Sequence, residues 1–256
     1  MVNLVALSNE THGNVQVTEH AAVAVAADQH ILRVRVAEVA QAVTSFPVFA
    51  ARGADTGRWD LFAVTSLEGG KNLFVVDNQW TANYQPNVVR CCPLYLVPAE
   101  GQDKPYAVGI DVESPAVVQE GGIPLYDESG QPSVHLTEVT RLLETDLQQE
   151  LQTRHFFERL DSLKLTRQIE VNVGYADGSG QSITDLNTID EDRLKDLSDA
   201  DLKSLHESGY LLVIHAMLVS LHQLNSLIRL HNDGPAPTKI KQVRLSMPRG
   251  GESAAI

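Results

Sequence analysis

The apolar positions change their spacing part-way along the chain. Up to about residue 113 they fall in short runs bounded by turn formers, the pattern of half-buried strands. Residues 2–7, 15–17, 31–36, 48–51, 59–66 and 106–111 each read as a strand. Residues 8–14 read as a turn-rich loop, and residues 53–58 as a polar link between two of the strands. Residues 38–44 are alanine-rich and suit one or two helical turns. Phe46-Pro47 stops them, because proline pushes the residue before it out of the helical region. Residues 114–130 are rich in Pro, Gly and Asp, with a turn at 127–130, and mark the expected boundary between a β-rich and a helix-rich half.

From residue 133 the period becomes helical. Val139, Leu143, Leu147 and Leu151 recur every four residues, and Phe157 and Leu160 extend the stripe, so a helix is expected over 133–163 with Ser133 as its cap. Residues 169–173 alternate and should pair with 181–184 as a small hairpin across Asp177-Gly178 and Ser179-Gly180. Thr188 and Glu191 have capping-box spacing for a short helix through Asp196. Ser198 opens the next helix, over 199–207, and Gly209 closes it. A long apolar helix follows over 211–230; its most apolar part, 210–221, is short of the ~20 residues a membrane span needs. Residues 233–256 begin Asp-Gly-Pro-Ala-Pro and are expected to be a flexible tail. The pattern predicts an α+β chain with one domain over 1–232. Its N-terminal half (1–113) is β-rich and mostly antiparallel, a loop covers 114–132, and helices with the small hairpin fill 133–232.

Residues 72–97 combine features found nowhere else in the chain: one of two tryptophans, two tyrosines, an arginine and both cysteines. Leu73 to Val76 is an apolar run suited to a buried strand, and Asp77-Asn78 is a turn pair. Pro86 opens a turn through Val88 and Val89, Pro93 ends it, and residues 94–97 form the next strand. Arg90, between an apolar turn and an apolar strand, must reach water or pair with a carboxylate such as Asp111, since an unpaired buried charge is too costly. Trp80, Tyr84 and Arg90 are the candidate binding residues: rigid aromatic area beside a guanidinium that can grip a carboxylate. The competing reading is a structural cluster that pins a strand–turn–strand unit.

Charge narrows the partners. Against 20 Lys+Arg stand 33 Asp+Glu, a net of −13, which disfavours a nucleic-acid backbone. Residues 144–201 hold 14 acids and 6 bases, and residues 233–256 hold 2 acids and 4 bases, so the acidity lies in the helical region and the tail is mildly basic. The helix-turn-helix look of 198–230 does not change this, because its second helix is too apolar to face base edges. Cys91 and Cys92 are adjacent and suit reduced thiols better than a bridge. His215 and His222 are about 10.5 Å apart along a helix, too far to share one zinc. Gly69-Gly70-Lys71 lacks phosphate-loop spacing, and no nucleophile elbow or dinucleotide fingerprint occurs. No metal and no cofactor is expected. The N-terminus lacks the charge pattern of a secretion signal, and a cytoplasmic protein is expected.

The carrying pieces of a family resemblance run in order. They are Leu7-Ser8 to His12, Val15-Gln16-Val17, Phe46-Pro47, Gly70 to Phe74, Trp80 to Pro86, Arg90-Cys91-Cys92-Pro93 and Ile110-Asp111. GGIPLYDE at 121–128, residues 153–160, Ile189 to Leu194, Ser198-Asp199, Gly209 and Leu221 complete them. Over roughly residues 1–232 the chain resembles the SapC family, named after a bacterial surface-layer gene cluster. Cys91-Cys92 stand where that family has a basic or aromatic residue before the proline. The resemblance brings no catalytic motif. It implies a Gram-negative accessory protein beside flavin-dependent halogenase-like enzymes, cupin-like hydroxylase-like proteins and TonB-dependent receptors. The expected function is non-enzymatic binding of a peptide or protein client. The alternatives are an enzyme of unrecognised type that modifies a peptide or surface component, and a structural surface-layer protein.

Overall fold

Strand β1 (Leu4–Ala6) leads not into a loop but into a single helical turn, α1 (Asn9–His12). Ser8 makes this turn possible: its hydroxyl accepts from the Thr11 N–H, a donor that a helix start leaves free. The structure is a computed structural model and describes residues 3–53, 57–99 and 106–248. Next come β2 (Gln16–Val17), the apolar helix α2 (Glu19–Val25) and β3 (Ile31–Val34). β3 stops two residues short of the expected Val36, because Arg35 turns inward and a 3-10 turn (Val36–Glu38) begins. Helix α3 (Val39–Ala42) ends before Phe46-Pro47 as the sequence implies. β4 (Val48–Arg52) and β5 (Trp59–Val64) pair antiparallel, from Val48 opposite Ala63 to Arg52 opposite Trp59. Residues 54–56 of their link lie outside the described residues.

Leu73 and Phe74 are buried, but only β6 (Val75–Val76) reaches strand geometry, pairing with β7 (Gln79–Trp80). Asp77 and Asn78 between them have φ of 50° and 58°, the left-handed pair that a two-residue hairpin requires. Pro86 caps the turn α4 (Asn87–Arg90), and β8 (Leu94–Pro98) follows. β8 pairs with β9 (Tyr106–Asp111), whose other edge takes β1. The stretch expected as loop holds two short strands, β10 (Val117–Val118) and β11 (Ile123–Pro124), which flank β2.

Ser133 caps α5 (Val134–Leu163) by accepting from the Leu136 N–H. At 30 residues it is about 45 Å long. Leu136, Val139 and Leu143 pack with Val15, Leu94, Ile110 and Leu125 in one core; Phe156, Phe157, Leu160 and Leu163 enter a second, larger core with Phe46, Phe49, Leu61 and Ile214. The expected stripe does not stay buried: Leu151 is 52% exposed. A spacing of four advances about 40° around a 3.6-residue helix, so Val139 and Leu151 lie about 120° apart.

β12 (Thr166–Tyr175) and β13 (Gly180–Ile189) form the expected hairpin at twice the expected length. It is no satellite of the helical half. Asn187 pairs with Ala50, joining β13 to β4, and the six-stranded order is β14-β12-β13-β4-β5-β3. The expected boundary at 114–130 therefore separates neither cores nor sheets. α6 (Glu191–Lys195) is capped by Asp190, whose carboxylate accepts from the Arg193 N–H; Thr188 stays in β13. α7 (Asp199–Glu207) has Ser198 as its cap and left-handed Gly209 beyond its end, as expected.

The apolar helix is two, α8 (Tyr210–Ser220) and α9 (Gln223–Asp233), divided by a turn at Leu221-His222. Within Tyr210–Asp233 an 18-residue window has a mean hydropathy of 1.6, long and apolar enough for a membrane span, and a third of that window is buried in the chain. Val213, Ile214, Met217, Leu224 and Leu227 supply the buried face. The tail is not free throughout: β14 (Ile240–Ser246) pairs with β12 as the sheet's edge. Asn232 fixes its start, accepting from the Ile240 N–H at 2.8 Å and donating to the Ile240 carbonyl at 2.9 Å. Residues 249–256 lie outside the described residues.

Candidate functional site

The stretch 80–90 is held by a carboxylate that sequence reasoning missed. Glu38, 4% exposed, accepts three hydrogen bonds. Oε2 takes the Arg35 N–H at 2.8 Å; Oε1 takes the Tyr84 hydroxyl at 2.7 Å and the Asn87 N–H at 2.9 Å. One acid thus joins the turn after β3 to the start of α4. Burial, reinforced by Glu38, pushes the Tyr84 phenol far above its ordinary value, so it remains a donor. Trp80 closes the loop from the other side, its indole N–H donating to the Tyr84 carbonyl at 2.9 Å.

Beneath Glu38 lies a second polar group. Arg35, 2% exposed, donates from Nε and Nη2 to the two oxygens of Asp146, at 3.0 and 2.8 Å. It also reaches Glu150 at 3.3 Å and Asp60 at 3.5 Å. Burial works against its charge, but these carboxylates outweigh it and the guanidinium is held more firmly protonated than usual. A strand running to Val36, with residues alternating between faces, would turn Arg35 to the same side as exposed Arg33. The sequence signal that marks the network is a charged Arg35 and Glu38 inside the run VRVAEVA.

The three candidate residues do not converge. Trp80 and Arg90 line one groove of about 410 Å³ between α2, α4 and α5, with Glu19, His20, His135 and Glu138 on its rim. Tyr84 is not on that groove; its hydroxyl points inward to Glu38. Arg90 is exposed and its Nη1 donates to Asn87 Oδ1 at 3.2 Å. Its hydrogen bond goes to Asn87 rather than to Asp111, whose carboxylate accepts instead from the Asn3 and Glu113 N–H groups. Trp80 is half-buried, with one edge against Phe46 at 6.2 Å.

Both thiols are free, and Cys91 is buried. Burial pushes the Cys91 thiol up to about 12 and raises Cys92 as well, so neither is the thiolate that nucleophilic chemistry requires. Among the described residues no three His, Cys, Asp or Glu side chains gather as a metal-binding group. His215 lies within α8, whereas His222 sits in the turn between α8 and α9.

Compared with protein families, residues 7–227 match the model of SapC. The chain belongs to the SapC family. That match covers the strand–turn–strand unit, the Glu38 and Arg35 networks and the first part of α9, through Leu227. β14 lies beyond it, so the sheet edge that covers β12 is built from chain outside the matched region. Among curated proteins and solved structures, nothing matches.

Proposed function

We propose that this SapC-family chain is a non-enzymatic accessory protein that holds a peptide or protein client in the groove between α2, α4 and α5. The observation that carries the reading is the placement of Arg90: exposed, tied among the described residues to Asn87 of its own turn, and lining the same groove as Trp80. A guanidinium so placed can grip a client carboxylate with two N–H groups, and the indole edge supplies rigid contact area. Tyr84 supports the site from behind, since its bond to Glu38 and its carbonyl's bond from Trp80 set the angle of the indole. The family setting makes a flavin-dependent halogenase-like or hydroxylase-like enzyme the first partner to try, in the cytoplasm.

Arg90→Ala tests this. The side chain is exposed and makes one neutral hydrogen bond, so the melting temperature should move by no more than about 2 °C. Recovery of a purified halogenase-like partner on the immobilised protein should fall roughly tenfold. Unchanged recovery, or a large drop in melting temperature, overturns the reading.

A further inference from the structure

A different groove, of about 370 Å³, runs between β5 and the second half of α5. Four of the chain's arginines line it, Arg33, Arg52, Arg58 and Arg154, in a protein of net charge −13. Acids line it too, but most are engaged elsewhere. Asp60 and Glu150 are drawn onto buried Arg35. Asp161 accepts from the Trp59 indole N–H at 3.2 Å. Glu158 is exposed, and its charge acts on Tyr210. The arginines are held differently. Arg52 lies flat over Trp59 at 4.4 Å, and Trp59 stacks on Phe157 at 5.6 Å with 13° between planes. Among the described residues Arg52 donates through Nη1, to the Gly57 carbonyl at 3.0 Å. Arg33 and Arg154 are exposed and make no hydrogen bond or ion pair among the described residues.

A second cleft of about 330 Å³ adjoins this groove, and the two share Arg33 and Glu150. The walls of the second cleft are apolar, with Leu94, Leu96, Leu143 and Leu147 among them. Glu150 of the Arg35 network stands where the two meet, while Asp60 lines the first groove and Asp146 the second. The two together form a trough that runs from the guanidinium groups of Arg33, Arg52 and Arg154, past Glu150, to an apolar cleft.

We propose that this trough binds an extended acidic peptide, its carboxylates on Arg33, Arg52 and Arg154 and a following apolar side chain in the leucine-lined cleft. A peptide fits the trough because its backbone N–H groups can donate to Asp60 on the arginine side and to Glu150 where the two grooves meet. An alkyl chain with an anionic head would have to cross those same carboxylates with nothing to offer them. A guanidinium fixed by stacking, as Arg52 is on Trp59, suits paired carboxylate oxygens better than a flexible ammonium would. The site is separate from the groove at Trp80 and Arg90, and the inference does not rest on a client there.

The test uses the full chain and a fluorescein-labelled hexapeptide, Asp-Glu-Asp-Glu-Leu-Leu, followed by anisotropy. Its Asn-Gln-Asn-Gln-Leu-Leu analogue, oleate and inorganic phosphate serve as competitors. The acidic peptide should bind, and its amide analogue should compete at least tenfold more weakly. Arg33→Ala with Arg154→Ala should weaken binding roughly tenfold or more, with the melting temperature unchanged because both side chains are exposed. Arg90→Ala should leave it unchanged. Equal binding of the acidic and amide peptides overturns the proposal, as does no binding at millimolar peptide. Displacement by oleate or phosphate at the peptide's own concentration assigns the trough to a lipid or to a bare anion, and also overturns it. Loss of binding in Arg90→Ala instead of the double variant moves the peptide to the other groove and overturns it equally.

Discussion

At the scale of single residues the decisive groups are charged side chains that the fold takes inside. Glu38 satisfies three donors from three points of the chain. Glu38→Ala strands all three, and each buried unpaired donor costs about 1–3 kcal/mol. The expected loss is about 3 kcal/mol or more in urea unfolding, with Glu38→Gln recovering part of it because the amide oxygen still accepts. A loss under about 1 kcal/mol for Glu38→Ala would show that water replaces the carboxylate. Trp80, Tyr84 and Arg90 were legible as a unit, since they fall within eleven residues of turn-rich sequence. Their orientations were not. Tyr84 faces inward because Glu38, 46 positions earlier, waits there, and nothing between Tyr84 and Arg90 encodes that partner.

At the scale of elements, local chemistry was read well wherever a cap or turn decides the outcome. Ser133, Ser198, Gly209 and the Asp77-Asn78 hairpin all act as their residue types require. Reading failed where tertiary contacts compete with local signals. Thr188 has capping-box spacing, yet it lies opposite Arg167 in the β12–β13 ladder, so Asp190 caps α6 instead. The tail from residue 233 looked unstructured because Gly and Pro begin it, but a sheet edge with unpaired backbone groups recruits β14. Asn232 holds that strand by two hydrogen bonds. Asn232→Ala should release it locally by about 2 kcal/mol. Amides of β14 should then exchange with solvent at least roughly tenfold faster while those shared by β12 and β13 keep their protection. Equal acceleration in both hairpin and edge would mean that β14 is integral to the sheet. Lys241 and Arg244, exposed on that edge, suit it to water rather than to a further strand.

At the scale of the molecule, the two halves share one sheet. The large sheet takes β3, β4 and β5 from the first half and β12, β13 and β14 from the second. α5 spans both cores. Calorimetry should therefore show one transition, with equal calorimetric and van't Hoff enthalpies. A protease cut at exposed residues 119–121 should leave both pieces co-eluting, and residues 1–120 expressed alone should not fold. Two separable transitions would contradict a shared sheet. The same architecture places both candidate sites along α5, so sites distant in sequence are neighbours on one helix.

The family, the α+β class and the change of period near residue 133 are properties of the sequence by itself. They depend on motif order, on caps and turns, and on periodicity, all set by residues within a few positions of one another. The hairpin's place at the centre of a six-stranded sheet, the buried pairing of Arg35 and the inward turn of Tyr84 were decided only by the tertiary structure. Each depends on partners separated by 46 to 137 positions: Tyr84 with Glu38, Arg35 with Asp146, and Asn187 with Ala50. A buried charge must find a counter-charge wherever the chain brings one, and a strand must find a free edge. Neither search leaves a mark in the local pattern.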